Sequence, residues 1–308
     1  MMVEPTKFYF NAETAADNEF MHQIDEDNDA IAKKAIHEHQ MLREKITEAG
    51  IEVIKYSQQQ DDLPDSLFPN NWISTHRYPG VTNGHIVCVY PMKCPTRQRE
   101  VNYKIVDELT MEGGDVVDLT NYWDKDLALE GTGVLIFDAP NKKIYANISH
   151  RCELEVLEHF LEIFNSKCST PFKLVTFSAK TSTNTAIYHT NVMLSLLSEH
   201  AVICLESIQD ENERQKVIEE LTSRDLNEYP RKIVDISLEE VEKMWGNILW
   251  VLNKAEEPCV VMPSTAYYGF APHNRDELEI HYKIVHSDVS TIENIGGGSA
   301  RWMIAEVF

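Results

Sequence analysis

The sequence predicts an α/β fold made of five repeats of strand, strand, helix, strand, arranged around an axis as a five-bladed α/β propeller. Three observations predict it. First, short polar or glycine-containing motifs run directly into apolar segments of strand character. These are Asn70-Asn71-Trp72-Ile73-Ser74, Glu130-Gly131-Thr132-Gly133 before VLIFD, His189-Thr190-Asn191 before VMLSLL, Gly246-Asn247 before ILWVL, and Gly296-Gly297-Gly298-Ser299 before ARWMIAEVF. Second, taken at Asn71, Glu130, His189, Asn247 and Trp302, they follow at steps of 59, 59, 58 and 55 residues. A near-constant step of that size marks repeated supersecondary units. Third, the segments between markers keep one order of elements, so each marker holds the same place in its unit. Five units around an axis then bring the motifs to one central pocket. The competing architecture, a doubly wound nucleotide-binding sheet, lacks its signature. No GxGxxG opens a helix after a strand, and the Gly296–Ser299 run leads into apparent strand.

The elements follow in order. A helix over 27–50 carries Ala32, Ala35, Ile36, Met41, Leu42 and Ile46 on one face and stops at Gly50. The acids at 25–30 begin like a calcium loop, but Ala30 stands where the turn glycine belongs and Ile36 where the bidentate acid belongs. They read as helix-capping charge. IEVIKYS follows as a strand. Each marker is then followed by a second apolar strand (GHIVCVYPM, KIYANIS, AVICLES, PCVVMPS) and a helix (VNYKIVDELTM, CELEVLEHFLEIFN, ENERQKVIEELTSR, DELEIHYKIV). A closing strand ends each unit (DVVDL, FKLVTF, KIVDI, DVSTI). The fifth unit is completed circularly, with a C-terminal strand joining the N-terminal strand, helix and IEVIKY. Residues 1–308 are read as a single domain with a substantial core.

Composition narrows the function. A net charge of −22 repels phosphate backbones, and no Lys/Arg stripe with interleaved aromatics offsets it locally, so nucleic acid is excluded as a partner. A field of that sign draws in a small cation instead. No stretch is apolar enough to span a membrane, and the N-terminus lacks a basic region followed by an apolar one. The six cysteines form no CxxC pair and read as free thiols of a reducing compartment, which places the protein in the cytoplasm. His37, His39, His76, His85 and His150 show no metal-ligand spacing, and neither a metal nor another cofactor is expected. A homo-oligomer is left open.

PDSLFPNNWISTH at 64–76, LEGTG at 129–133, YHTNVM at 188–193, the Gly246-Asn247 pair and IGGGSARWMIAEVF at 295–308 together resemble the pentein superfamily. Its members modify guanidino groups: amidinotransferases, arginine deiminases, dimethylargininases and, most similar here, citrulline-utilisation hydrolases. The resemblance runs nearly end to end and implies a pentein domain acting on an arginine-like substrate. The family's chemistry needs a thiolate to attack the guanidinium carbon, a histidine to protonate the leaving amine and then activate water, and carboxylates to hold the planar cation. By resemblance, His189 is the acid/base residue. Glu130 is the carboxylate that orients a guanidinium, the alternative being a strand-edge acid facing solvent. Asp65 resembles a second carboxylate touching substrate nitrogen, while Asn70 and Asn71 stand where deiminases carry acids. Asn71, Asn191 and Asn247 complete the substrate-contacting set. Arg97 and Arg151 resemble the pair that grips a substrate carboxylate, against the alternative of surface arginines on an acidic protein. Glu112-Gly113-Gly114-Asp115 copies an arginine-deiminase motif but lies off the step, and reads as a turn ending a helix before a strand.

Trp302 is the departure. The family's motif reads GGGSAR followed by the nucleophilic cysteine, and here that position is tryptophan. An indole N–H is a donor only. None of the cysteines lies in a stepped motif, and Ser299 offers an unactivated hydroxyl. Four accounts stand: a pseudoenzyme that binds without turning over, a different reaction through His189 and water, a non-native residue at 302, or a shifted register. SAR and MIAEVF flank the position without a gap and weigh against the last.

Overall fold

The computed structural model describes residues 1–307 apart from 17 and 112. The fold is α/β, with five small sheets among these residues. Strands β1 (Met2–Glu4) and β2 (Lys55–Ser57) pair in parallel, joined through the helix Asn28–Glu48. The other four sheets repeat one pattern. β3 (Ile73–His76) is antiparallel to β4 (Ile86–Val89), which is parallel to β5 (Asp115–Asp118). The same holds for β6 (Ile136–Asp138), β7 (Lys143–Asn147) and β8 (Lys173–Phe177). It holds again for β9 (Leu194–Leu196), β10 (His200–Ile203) and β11 (Lys232–Asp235). β12 (Leu249–Leu252), β13 (Pro258–Pro263) and β14 (Lys283–Ser287) form the last. An antiparallel pair needs only a short connection, whereas a parallel pair needs a crossover. Hence a helix precedes each third strand: Tyr103–Thr110, Leu154–Ser166, Glu211–Thr222 and Pro272–His281.

The chain divides into two compact units. One comprises residues 1–69, 192–206 and 231–304, and the other residues 70–191, 207–230 and 305–308. In the first, the helix Asn28–Glu48 is capped by Asp27, whose carboxylate accepts the N–H groups of Asp29 and Ala30, as the acidic run predicts. It buries Ile31, Ala32, Ala35, His39, Leu42 and Ile46 and ends before Gly50 at φ +88°. Ile36 and Met41, expected on that face, are only half-buried, and His39 takes a place there instead. In the second unit, Val156, Leu157, Phe160 and Phe164 of the helix Leu154–Ser166 pack with Ile86, Ile144 and Val117 of the adjoining strands. Each such side chain contributes about 1.5–3 kcal/mol on full burial. This core includes Leu129 and Val134, which flank Glu130 in the chain.

Two expectations are corrected. The closing strand of the last sheet is Lys283–Ser287 and not DVSTI, so KIV leaves the helix. Tyr282 is already extended, at φ −134° and ψ 143°. Residues 290–296 are helical: Val289, Ile292 and Ile295 are buried at helical spacing, and the Glu38 carboxylate accepts the N–H groups of Thr291 and Ile292 at 3.0 Å each. Nor do residues 301–307 form a strand. The Trp302 N–H donates to the Ser299 carbonyl at 3.0 Å and Arg301 Nη1 to the Ile304 carbonyl at 2.8 Å, so backbone groups that a ladder would use are satisfied locally. Gly296–Ser299 is therefore a helix end followed by turns, with Gly297 in the left-handed region at φ +63°.

The buried histidines set an acid limit on stability. Burial pushes His39 down to about 4 and His76 to about 3, from 6.5. Below pH 6.5 the unfolded chain takes up protons at these sites and the folded chain does not. Their contribution is thus complete above 6.5 and is lost as pH falls towards 3–4, at about 1.4 kcal/mol per pH unit for each group. Glu293 runs the other way: burial raises it to about 7 from 4.5, so it costs stability as pH rises through that window. Two histidines outweigh one glutamate. Urea denaturation from pH 7 to 4.5 is expected to show a falling midpoint; a flat or rising one contradicts the assignment.

Candidate functional site

Within the second unit, Glu130 precedes the single helical turn Gly131–Val134 and is completely buried. Gly131, at φ +47°, lies so close to the Asn70 and Asn71 carbonyls that a Cβ would sit 2.4 and 2.8 Å from them. At Gly133 a Cβ would lie 2.5 Å from Asn71 Nδ2 and 3.0 Å from His189 Cε1. The two glycines thus let three segments close on one carboxylate.

That carboxylate is fully engaged. Glu130 Oε1 accepts the Lys93 backbone N–H at 2.9 Å, and Arg151 Nη1 donates to Oε1 and Oε2 at 2.9 and 3.0 Å. His189 Nε2 lies 2.7 Å from Oε2. Burial alone would raise the Glu130 carboxyl, but the Arg151 guanidinium and the His189 bond outweigh it and hold it well below the usual carboxylate range. His189 is moved down from its ordinary value, chiefly by burial, with Glu130 opposing. The pair is therefore an anionic carboxylate and a neutral imidazole at pH 7, the protonation state an acceptor of protons requires.

Beside it, the Arg97 guanidinium makes paired bonds to Glu100, Nε to Oε1 and Nη2 to Oε2 at 3.0 Å each, while Nη1 donates to Asn71 Oδ1 at 2.9 Å. Asn191 Nδ2 donates to the Thr132 carbonyl at 3.1 Å. Asn70 is completely buried and both its amide atoms lack a hydrogen-bond partner among the described residues, as does Asn71 Nδ2. Buried amides left this way are groups that a bound polar molecule or water would satisfy.

The structure thus brings Asn71, Arg97, Glu130, Arg151, His189 and Asn191 together. The surface alternatives fall: Arg97, Glu130 and Arg151 are all at most 1% exposed. Three participants escaped sequence reasoning. Lys93 contributes only a backbone N–H, which no motif records. Glu100 could have been read as the partner of Arg97 at i+3 in a helical turn. The Tyr188 ring lies 5.7 Å from the Arg151 guanidinium carbon, and its signal was adjacency to His189.

Asp65, Asn247 and Trp302 belong to the first unit. Asp65 is buried, and its Oδ2 accepts from Asn11 Nδ2 at 2.8 Å and Thr14 Oγ1 at 2.7 Å. Asn247 is buried after Gly246, where a Cβ would meet the Val192 carbonyl at 2.2 Å. Trp302 is 2% exposed and meets Phe68 edge to face at 5.7 Å, with Gly298 leaving room for the indole. Ser299 donates to Glu293 Oε1 at 2.6 Å. Among the deiminase-like residues, Glu112 lies outside the described residues; Gly113 and Gly114 turn at φ +104° and +110°, and Asp115 opens β5 as expected. Among the described residues no disulfide joins any of the six cysteines, and burial raises the thiols of Cys88, to about 12, and of Cys152, Cys168 and Cys259.

The sequence profile for N,N dimethylarginine dimethylhydrolase, eukaryotic, matches residues 4–308. The chain belongs to this dimethylargininase family. Solved structures agree on the fold. The N-terminal domain of ArgZ, covalently bound to a reaction intermediate, superposes with a TM-score of 0.70 at 18% identity, covering 100% of this chain and 96% of that one. ArgZ is an arginine dihydrolase from the ornithine-ammonia cycle in cyanobacteria. Dimethylarginine dimethylaminohydrolase from Pseudomonas aeruginosa, complexed with citrulline, gives 0.62 at 15% identity, with 98% and 96% covered. Unliganded AgrE gives 0.72 at 16% identity, covering 100% of this chain and 38% of that one. No curated protein matches the sequence. Among the described residues no helix of this dimethylargininase relative is long and apolar enough to cross a membrane.

Proposed function

We propose that this dimethylargininase-family protein recognises an arginine-like guanidino compound and that covalent catalysis by the family's route is lost or strongly impaired. One observation supports the second half: a buried tryptophan, Trp302, follows GGGSAR, after which the resemblance leads one to expect the nucleophilic cysteine. Four of the six thiols, those of Cys88, Cys152, Cys168 and Cys259, are raised by burial, the opposite of what an attacking thiolate requires. Recognition is supported by family membership, by the arginine and citrulline chemistry of the structural neighbours, and by the Glu130–His189 pair. In this reading Asp65, Asn71, Asn191 and Asn247 contact substrate, and residues 1–308 form one five-bladed pentein domain. The repeated strand order of four sheets supports that arrangement. A reducing cytoplasmic setting fits cysteines that form no disulfide among the described residues.

A second reading, a catalytically silent binding or regulatory protein, is favoured by Arg151. Its guanidinium already occupies both oxygens of Glu130, the carboxylate that would receive a substrate guanidinium. Substrate recognition then requires Arg151 to yield or to remain as a shared partner.

The wild-type protein is expected to release ammonia, alkylamine or citrulline from arginine and its methylated forms far more slowly than about 1 per second, the low end of ordinary turnover. A coupled amine assay over a panel of guanidino compounds checks this. Turnover at ordinary rates sinks the impaired-catalysis reading, and mass spectrometry of a trapped adduct would then locate the residue that replaced the cysteine.

A further inference from the structure

The first unit contains a group of side chains with no part in the guanidino chemistry. Glu277 and His281 are four residues apart on the helix Pro272–His281 and so lie on one face of it. His200 opens β10 and brings its ring to the same place. His200 Nε2 lies 3.0 Å from Glu277 Oε1, and His281 Nε2 lies 3.6 Å from that oxygen. One donor atom from each residue falls within 4.8 Å of the others. Ligand atoms at the corners of a tetrahedron with metal bonds of about 2.0–2.1 Å are about 3.3 Å apart. The two separations from Glu277 Oε1 lie on either side of that value, and the two histidine nitrogens lie within 4.8 Å of each other.

We propose that His200, Glu277 and His281 bind a divalent cation of the zinc class. Two imidazoles and one carboxylate are a zinc-type donor set, with a fourth position open to water. The surroundings fit a metal-ligating histidine. His200 Nδ1 is 2.9 Å from the Tyr282 hydroxyl, whose oxygen also accepts the Glu199 backbone N–H at 3.1 Å. When Nδ1 donates to that oxygen, the Nε2 lone pair faces Glu277, an arrangement that a cation between them resolves. Among the described residues, the hydrogen bonds to Glu277 fall on Oε1 and none on Oε2. The His281 side chain is 34% exposed and that of Glu277 26%, so an ion has a path in, while His200 is buried at the base.

Two charges adjoin the site. The Glu199 carboxylate lies 3.5 Å from His281 Nδ1 and favours a cation. Lys232 Nζ donates to Glu277 Oε1 at 2.7 Å and competes with one. The Lys232 side chain is 64% exposed, so its ammonium can turn to water when the ion enters. This competition separates the proposal from a plain ion-pair network, which would lose an attraction on removal of Lys232 and gain no ligand.

The test is calorimetric titration of zinc chloride into the chelator-treated full chain, with cobalt(II) absorption as a second readout. The expected result is one zinc equivalent, weakened at least about tenfold (about 1.4 kcal/mol) in both Glu277→Gln and His281→Ala and tightened in Lys232→Met. Cobalt is expected to show tetrahedral bands without thiolate charge transfer. Glu277 and His281 are partly exposed, and circular dichroism checks that their variants fold. The proposal is overturned by no zinc uptake, by binding that both variants leave unchanged, or by a cobalt–thiolate band placing the metal on cysteine. It does not depend on the guanidino reading, because the titration contains no guanidino compound.

Discussion

Trp302→Cys is expected to create measurable hydrolysis of an arginine-like substrate, at least about a hundredfold above the wild-type rate, if the other catalytic parts are intact. The substitution restores the one group that the proposed reaction lacks, a thiol able to attack the guanidinium carbon. A further His189→Ala change is expected to abolish the gain, because the leaving amine then has no proton donor and water no base. The gain carries a stability cost. Trp302 is 2% exposed and packed edge to face on Phe68, so trimming the indole to a thiol removes most of a buried side chain, and a loss of about 3–5 kcal/mol is expected. Circular dichroism and denaturation must therefore accompany the assay. A folded Trp302→Cys protein inert towards a panel of guanidino compounds would show that the loss extends beyond the nucleophile. Asn70 and Asn71, amides where deiminases carry acids, are then the next positions to restore.

Glu130→Gln is expected to lower stability by about 3–5 kcal/mol, because it removes the anion that accepts two hydrogen bonds from the buried Arg151 guanidinium. A surface pair would cost little. Pairing Glu130→Gln with Arg151→Met removes both charges and is expected to recover much of the loss, so denaturant unfolding of the two singles and the double gives the coupling. The pH dependence provides an independent check. The Glu130 carboxyl is held below its ordinary value of 4.5, so its stabilisation is present above that pH and disappears as pH falls through the folded value. The glutamine variant should lose that acid dependence. A variant as stable as wild type would mean that Arg151 finds another partner and that the pair is no organising feature of the site.

The separate marks of sequence and tertiary structure can be read from particular residues. Legible in the chain alone were the repeats, because strand pairing and helix crossovers impose local patterns: apolar runs for β4, β7, β10 and β13, and an acidic cap at Asp27. The markers Glu130 and His189 were legible because a constant step and two glycines placed them together, and the structure joins them at 2.7 Å. That tryptophan follows GGGSAR at position 302 was legible as plain residue identity, and its standing in place of a cysteine is what the family resemblance implies. Local pattern failed at the C-terminal end. KIVHS and DVSTI are both short apolar stretches, and pairing with Cys259–Pro263 selects the first, while the Glu38 carboxylate, more than 250 residues away in the chain, organises the second as the start of a helix. The partners that the arginines take within the chain were set by tertiary structure. Arg97 and Arg151 carry the same charge in the sequence whether they meet a substrate carboxylate, solvent or a neighbouring glutamate. Only folding, by excluding water and bringing Glu100 and Glu130 within about 3 Å, sets which counter-charge each one takes. The grouping of His200 with Glu277 and His281 is invisible in sequence for the same reason: a separation of 77 residues or more carries no spacing signal until β10 and the helix Pro272–His281 are brought together.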